Sequence, residues 1–144
     1  LVLDNFSTGR KSNLSKHSLK KLKIIKVDIS KKNDLEKYFN NVDYVFHLAG
    51  LADIVPSIEN PYKYFKSNVV GTLNVLKAAS QAKIKKFVYA ASASCYGIPN
   101  KYPTSENAPV ETMYPYAFTK WQAEQLVMHW CKVYSIPTIS PSVL

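Results

Sequence analysis

The chain has 144 residues, of which 47% are hydrophobic and 20% charged, with a formal net charge of +9. That size and balance suit one globular domain with a real core, and no apolar run approaches the roughly 18 residues of a membrane span. The two cysteines, Cys95 and Cys131, give no disulfide framework, so a cytoplasmic, reducing setting is expected, and no Cys/His cluster has metal-ligand spacing.

Much of the positive charge falls on Arg10, Lys11, Lys16, Lys20, Lys21, Lys23 and Lys26, with no carboxylate between Asp4 and Asp28. Nucleic-acid binding would want aromatic residues interleaved with the basic ones. Phe6 alone stands there, so the run reads as a solvated basic surface that can steer an anionic ligand.

Taken in order, residues 1–3 read as a short apolar strand ending in Asp4, followed by a polar turn to Gly9. Residues 22–27 form a second strand ending in Asp28-Ile29. Ser30 reads as an N-cap for a short amphipathic helix over 31–39, with Leu35 and Phe39 four apart. Residues 42–48 form a buried strand opening into the small residues Ala49-Gly50-Leu51-Ala52. A long helix is expected over 61–82, because Phe65, Val69, Thr72, Leu76 and Ala79 fall on one stripe and Pro61 suits a first turn. Gly71 inside it costs about 1 kcal/mol against Ala, which implies close approach by a backbone or a ligand. Residues 87–91 form another buried strand, leading to Ser92-Ala93-Ser94. Residues 98–113 are a Pro-containing loop. A helix starts at Pro115 and runs to 134, and a last strand begins at Ile136.

Buried strands alternating with helices predict an α/β fold with a parallel sheet. In such sheets ligands lie beyond the carboxyl ends of the strands. Those ends carry Asp4, Asp28-Ile29, Leu48-Ala49-Gly50 and Ser92-Ala93-Ser94. An acid at the end of a nucleotide-binding strand can accept from an adenosine ribose 2'-hydroxyl and would repel a 2'-phosphate. Asp4 therefore points to NAD over NADP, although Arg10 and Lys11 argue mildly the other way. Tyr116 and Lys120 stand one helical turn apart on the same face. An ammonium beside a phenol favours the phenolate, which suits the phenol to proton transfer with a hydroxyl or carbonyl substrate.

Five ordered motifs then resemble the extended short-chain dehydrogenase/reductase family, and its nucleotide-sugar epimerase branch in particular. They are Leu1-Val2-Leu3-Asp4-Asn5 with Asp28-Ile29, His47-Leu48-Ala49-Gly50, Asn68-Val69-Val70-Gly71-Thr72, the stretch from Phe87 to Gly97, and Tyr116 with Lys120. The resemblance implies a Rossmann-like doubly wound parallel sheet, of which residues 1–144 form a partial NAD-binding domain. The family's first strand with its Gly-rich loop and the C-terminal substrate domain are missing from the sequence, which reads as an excerpt.

The resemblance also implies roles. Asp4, Asn5, Asp28, Ile29, Leu48, Ala49, Gly50, Asn68, Tyr116 and Lys120 bind NAD. Ser92, Tyr116 and Lys120 are catalytic, and Ser92, Ser94 and Tyr116 meet the substrate. Asn68 orients the strand-end loop, while Cys95 and His47 are packing residues. Asp53, Glu59 and the Tyr62/Tyr64 pair could face the sugar and are left unassigned.

Related sugar dehydratases carry Thr-Asp-Glu where this chain has Ser92-Ala93-Ser94, and neither Ala93 nor Ser94 can be a carboxylic acid or base. That leaves epimerisation, at C4 of a UDP-hexose through a transient 4-keto sugar, as the expected reaction. Residues 50–57 also resemble epimerases acting in surface-polysaccharide biosynthesis. The alternatives are an NAD(P)-dependent sugar dehydrogenase or reductase of the same family, or a non-catalytic NAD-binding regulator. The helices from Pro61 and from Pro115 carry apolar residues beyond one core face, including Trp121 and Trp130, so a homodimer is expected.

Overall fold

In a computed structural model of the chain, which describes residues 1–14, 21–31 and 34–141, short strands pair in parallel and lead into helices. Strand β1 (Val2–Asp4) pairs with β2 (Ile24–Lys26), Leu3 opposite Ile25. Strand β3 (Tyr44–His47) pairs with β4 (Lys86–Tyr89), Phe46 opposite Val88, and β4 pairs with β5 (Thr138–Ile139). Every carboxyl end therefore points to one edge within its sheet.

Two sheets are seen among the described residues, where the alternation of elements suggested one. Between them lies a cavity of about 480 Å³ lined by Leu1 to Asp4 on one side and Tyr44 to Ala49 on the other. Tyr44, Phe46 and Leu48 are exposed there.

Helix α1 (Ile54–Glu59) was not expected, since the sequence predicts no helix between the strand over 42–48 and Pro61. Helix α2 (Pro61–Tyr64) starts where Pro61 announced it, with the Asn60 side chain accepting from Lys63 N. The expected single helix over 61–82 is then interrupted. Residues Phe65–Val70 form a wide π-helical turn before α3 (Gly71–Ala82). A π-turn accommodates an extra residue and rotates what precedes it. Val69, Thr72, Leu76 and Ala79 of the stripe are buried, whereas Phe65, the first residue of the turn, is 41% exposed.

The nearest neighbour of Gly71 is a side chain, with the backbone N of Ser30 behind it at 3.8 Å from where a Cβ would stand. A Cβ at Gly71 would sit 3.0 Å from both Cγ1 and Cδ1 of Ile29.

The expected helix over 31–39 is not formed among the described residues; positions 32 and 33 lie outside them. A single 3-10 turn, Glu36–Tyr38, stands in its place. The reason is local. The Ser30 hydroxyl and N–H both donate to Asp28 Oδ1, at 2.7 and 3.0 Å. Nine residues that include Asn33 and Asp34 cannot sustain a helix by propensity. Leu35 and Phe39 are buried all the same. They join a core of Val75, Leu76, Ala79, Phe87, Tyr89, Ala123 and Val127, which packs α3 and α4 (Pro115–Tyr134) against the strands. Trp130 packs against that core, while Trp121 stacks on Phe118 at 6.1 Å outside it.

The last strand stops before Pro141, whose carbonyl accepts from Ala91 N at 3.1 Å. Pro141 has no N–H to carry the parallel ladder further along β4, and the strand ends before it. Residues 142–144 and the basic residues Lys16 and Lys20 lie outside the described residues.

Candidate active site at the strand ends

Two neighbouring features occupy the carboxyl edge. The first is a groove of about 130 Å³ whose lining includes Asp4, Asn5, Asp28, Ile29, Leu48, Ala49 and Gly50. Each of these was named from the sequence, and the fold brings all seven together. Asp4 Oδ1 accepts from Phe6 N at 2.6 Å. Gly9 lies so close that a Cβ there would stand 2.8 Å from Asp4 Oδ2. The Ser30 hydroxyl holds the Asp28 carboxyl below the usual carboxylate range, against a smaller opposing effect of burial.

The second feature joins the end of β4 to the start of α4. Ser92 is extended and precedes the 3-10 turn Ala93–Tyr96. Its Oγ lies 2.7 Å from Ser94 Oγ and accepts from Ser94 N at 3.3 Å. The Tyr116 hydroxyl donates to the same oxygen at 3.3 Å. Tyr116 is in the first turn of α4, which Pro115 begins and Tyr114, in extended conformation, precedes.

Lys120 follows one turn on and is 9% exposed. Its ammonium donates to the carbonyl of Ala90 and stands 4.3 Å from the centre of the Tyr89 ring. Among the described residues, then, the phenol's bond goes to Ser92 and the ammonium's to Ala90. Burial draws the Lys120 ammonium down to about 8, with Cys95 and Glu124 opposing. Tyr89 is fully buried and its hydroxyl donates to Lys120 O at 3.3 Å.

Asn68 ties the two features together. Its Oδ1 accepts from Leu51 N at 2.7 Å, and its Nδ2 donates to Leu51 O at 3.0 Å and to Thr119 Oγ1 at 3.1 Å. A Cβ on Gly50 would meet Asn68 Oδ1 at 3.1 Å. The strand-end loop is thus pinned to the π-turn on one side and to α4 on the other.

Cys95 and His47 are both buried. Cys95 Sγ donates to Ala117 O at 3.6 Å, and burial pushes the thiol up to about 11. His47 Nε2 lies 2.8 Å from Thr72 Oγ1, and burial, helped by the Lys120 charge, pushes the imidazole down to about 3. Tyr64 turns inward. Its hydroxyl donates to Ala52 O, and its ring meets the Tyr116 ring edge-on at 6.5 Å and 77°. Tyr64, Tyr89 and Thr119 had no role assigned from the sequence. A threonine beside a lysine on a helix, both inward, was the signal for Thr119.

This edge can bind a ligand with hydroxyls at Asp4, and it can pass a proton through a phenol bonded to a serine while a buried cation sits one turn away. The chain is similar to known proteins. The model of the NAD dependent epimerase/dehydratase family matches residues 1–142. A UDP-glucose 4-epimerase of Pisum sativum is 41% identical over 101 residues, covering 69% of this chain and 29% of that protein. A UDP-N-acetylglucosamine 4-epimerase from Methanobrevibacter ruminantium M1, in complex with UDP-N-acetylmuramic acid, is 32% identical with a TM-score of 0.90, covering 96% of this chain and 44% of that one. The UDP-glucose 4-epimerase of Thermus thermophilus, in complex with NAD, is 30% identical with a TM-score of 0.87, over 96% and 45%. The chain spans less than half the length of each of these proteins. With the parallel strands, the Rossmann-type edge and a family match over almost its whole length, the chain belongs to the NAD dependent epimerase/dehydratase family.

Proposed function

We propose that this chain is the cofactor-binding and catalytic part of an NAD-dependent nucleotide-sugar 4-epimerase acting on a UDP-hexose. The observation that carries the reading is the Tyr116 hydroxyl 3.3 Å from Ser92 Oγ at the end of β4. That pair presents a proton carrier and a hydrogen-bond partner to one substrate oxygen. The named 4-epimerases among the similar proteins support it.

The groove residues fit NAD. Asp4 offers a carboxylate to ribose hydroxyls, Ile29 an apolar wall, and Gly9 and Gly50 an approach that a Cβ would fill. NAD, when bound, supplies a hydride acceptor that returns the hydride within the same turnover. The chain's residues do the rest. Tyr116 takes the proton of a sugar hydroxyl and gives it back. Ser92, with Ser94 beside it, holds that oxygen. Lys120 supplies a cation one turn from the phenol and can meet the ribose of the cofactor. Ala93 and Ser94 provide no acid or base for elimination, which favours epimerisation over dehydration.

Tyr116→Phe in the full-length protein tests the reading with a panel of UDP-sugars resolved by NMR. The expected result is loss of turnover with NAD retained; turnover at the parental rate would defeat it.

The whole protein is proposed to be a homodimer. Phe65, Val69, Trp121, Leu126 and Met128 line an open surface cavity of about 580 Å³ between the π-turn and α4. Gln122 Oε1, also on that helix, is buried without a partner among the described residues. A second copy would cover that cavity. Sedimentation showing only monomer at micromolar concentration would count against it. The free thiols Cys95 and Cys131 support a cytoplasmic setting; no helix among the described residues is long and apolar enough to cross a membrane.

A further inference from the structure

The first turn of α4 has a weakness where the chemistry needs rigidity. Tyr114 occupies its N-cap and supplies no side-chain cap bond. An uncapped first turn leaves orphan donors and frays readily. Tyr116 nevertheless has to hold its phenol against Ser92 from within that turn.

Thr119 offers a remedy. It is 3% exposed, and its hydroxyl donates to Tyr116 O at 2.9 Å. A helical threonine bonded to the carbonyl three residues back is ordinary. The second bond is not, because the same oxygen accepts from Asn68 Nδ2 at 3.1 Å. Asn68 is 2% exposed and spends its remaining amide groups on the Leu51 N–H and carbonyl. The result is a continuous chain of hydrogen bonds from Leu51, on the rim of the groove, through Asn68 and Thr119 to the backbone of Tyr116. Asn68 itself stands within the wide π-turn, and such turns recur at functional sites.

We infer that Thr119 is a positioning residue that locks the first turn of α4, and with it the Tyr116 phenol, to the groove-lining loop at Leu51. The inference rests on the reading of Tyr116 as the proton carrier. Tyr64 restrains the ring of Tyr116 from the side, whereas Thr119 links the turn's backbone to the loop through Asn68. A misplacement well under an ångström suffices to slow proton transfer while substrate contacts elsewhere persist.

The test uses the full-length protein carrying its NAD, with UDP-glucose and UDP-N-acetylglucosamine as probes. Thr119→Val keeps the shape and removes the hydroxyl. It should lower kcat about tenfold with KM within about twofold, and Thr119→Ser should recover kcat to within about threefold of the parent. Without substrate, amide hydrogen exchange over residues 116–120 should quicken about tenfold in Thr119→Val, with residues 123–134 unchanged.

A parental kcat in Thr119→Val, a serine form as slow as the valine form, or unchanged exchange in the first turn would overturn the inference. Thr119→Ala serves where the valine form does not fold, and failure of both to fold makes the residue structural and equally overturns it. Tyr116→Phe separates the two levels. Parental turnover there removes the proton-carrier reading itself, whereas an inactive Tyr116→Phe beside a fully active Thr119→Val removes only the role of Thr119.

Discussion

Tyr116 and Ser92 stand 24 positions apart in the chain, yet the phenol donates to the serine Oγ across 3.3 Å. The bond spans the end of β4 and the first turn of α4, so the fold itself assembles the pair. Tyr116→Phe removes the only proton the ring can exchange and keeps its shape. Turnover by the full-length protein should fall about a thousandfold, within the range for loss of a general acid–base group. Ser92→Ala should cost less, about a hundredfold, because Ser94 Oγ is 2.7 Å away and can reach the same oxygen. Steady-state rates with a UDP-sugar, beside the absorbance of NAD carried through gel filtration, check both; equal losses in the two variants would contradict the ordering.

Asn68 is expected to matter to stability as well as to the site. Asn68→Ala strands the Leu51 N–H and carbonyl, both part-buried, and leaves Thr119 one bond short. An unmade hydrogen bond at a buried group costs more than the bond itself contributes. Urea unfolding of the full-length protein should show a loss of about 2 kcal/mol, since the backbone groups regain some water through the cavity. A loss below a few tenths would mean that the loop re-pairs elsewhere.

Much of this edge was legible in the chain before folding. Helix α4 begins and ends where Pro115 and Tyr134 suggested, because a proline at the first position and a long run of helix formers act locally. The apolar runs of β3 and β4 and the acids at the ends of β1 and β2 are equally local. What escaped depended on partners distant in sequence. The spacing from Phe65 to Ala79 fits an ordinary helix, and nothing in it announces the π-turn that sets Asn68 against Leu51 and Thr119. Tyr64 has no role legible in the sequence because its partner, the carbonyl of Ala52, lies twelve residues back in the chain. Where a helix was expected over 31–39 a 3-10 turn stands at Glu36–Tyr38, and Ser30 bonds back to Asp28, an Asx-type contact that composition does not announce.

Lys120 gives the site a pH signature. Burial lowers its ammonium to about 8, from an ordinary value of 10.5. Between those two values the unfolded chain holds a proton that the folded one has released. Folding stability therefore rises with pH through that window, and the penalty for the buried cation is complete below about 8. Lys120→Met removes the effect. Melting temperatures of the parent and the variant, measured side by side from neutral pH to above 10, should show the parent gaining on the variant as pH rises. The Ala90 carbonyl and the Tyr89 ring both favour the charged form, so the gain is smaller than burial alone would give. A difference that stays flat or changes sign would show that the two contacts outweigh burial.

Gly9 separates binding from folding. A Cβ at this position would lie 2.8 Å from Asp4 Oδ2, and what it meets is the end of a rotatable carboxylate. The side chain of Asp4 can therefore yield where the backbone need not. Gly9→Ala should leave unfolding within about 0.5 kcal/mol of the parent, as for a surface substitution. Its effect falls on Asp4, which must turn away while its other oxygen is held by Phe6 N at 2.6 Å. If that carboxylate receives the ribose hydroxyls of NAD, affinity for the cofactor should drop about tenfold, the value of one such hydrogen bond to a charged group. Titration of the NAD-stripped full-length protein checks this, with NADP as the comparison. Because the displaced charge no longer guards the groove, the ratio of NAD to NADP affinity should fall as well; an unchanged ratio with unchanged NAD affinity would place the ribose away from Asp4.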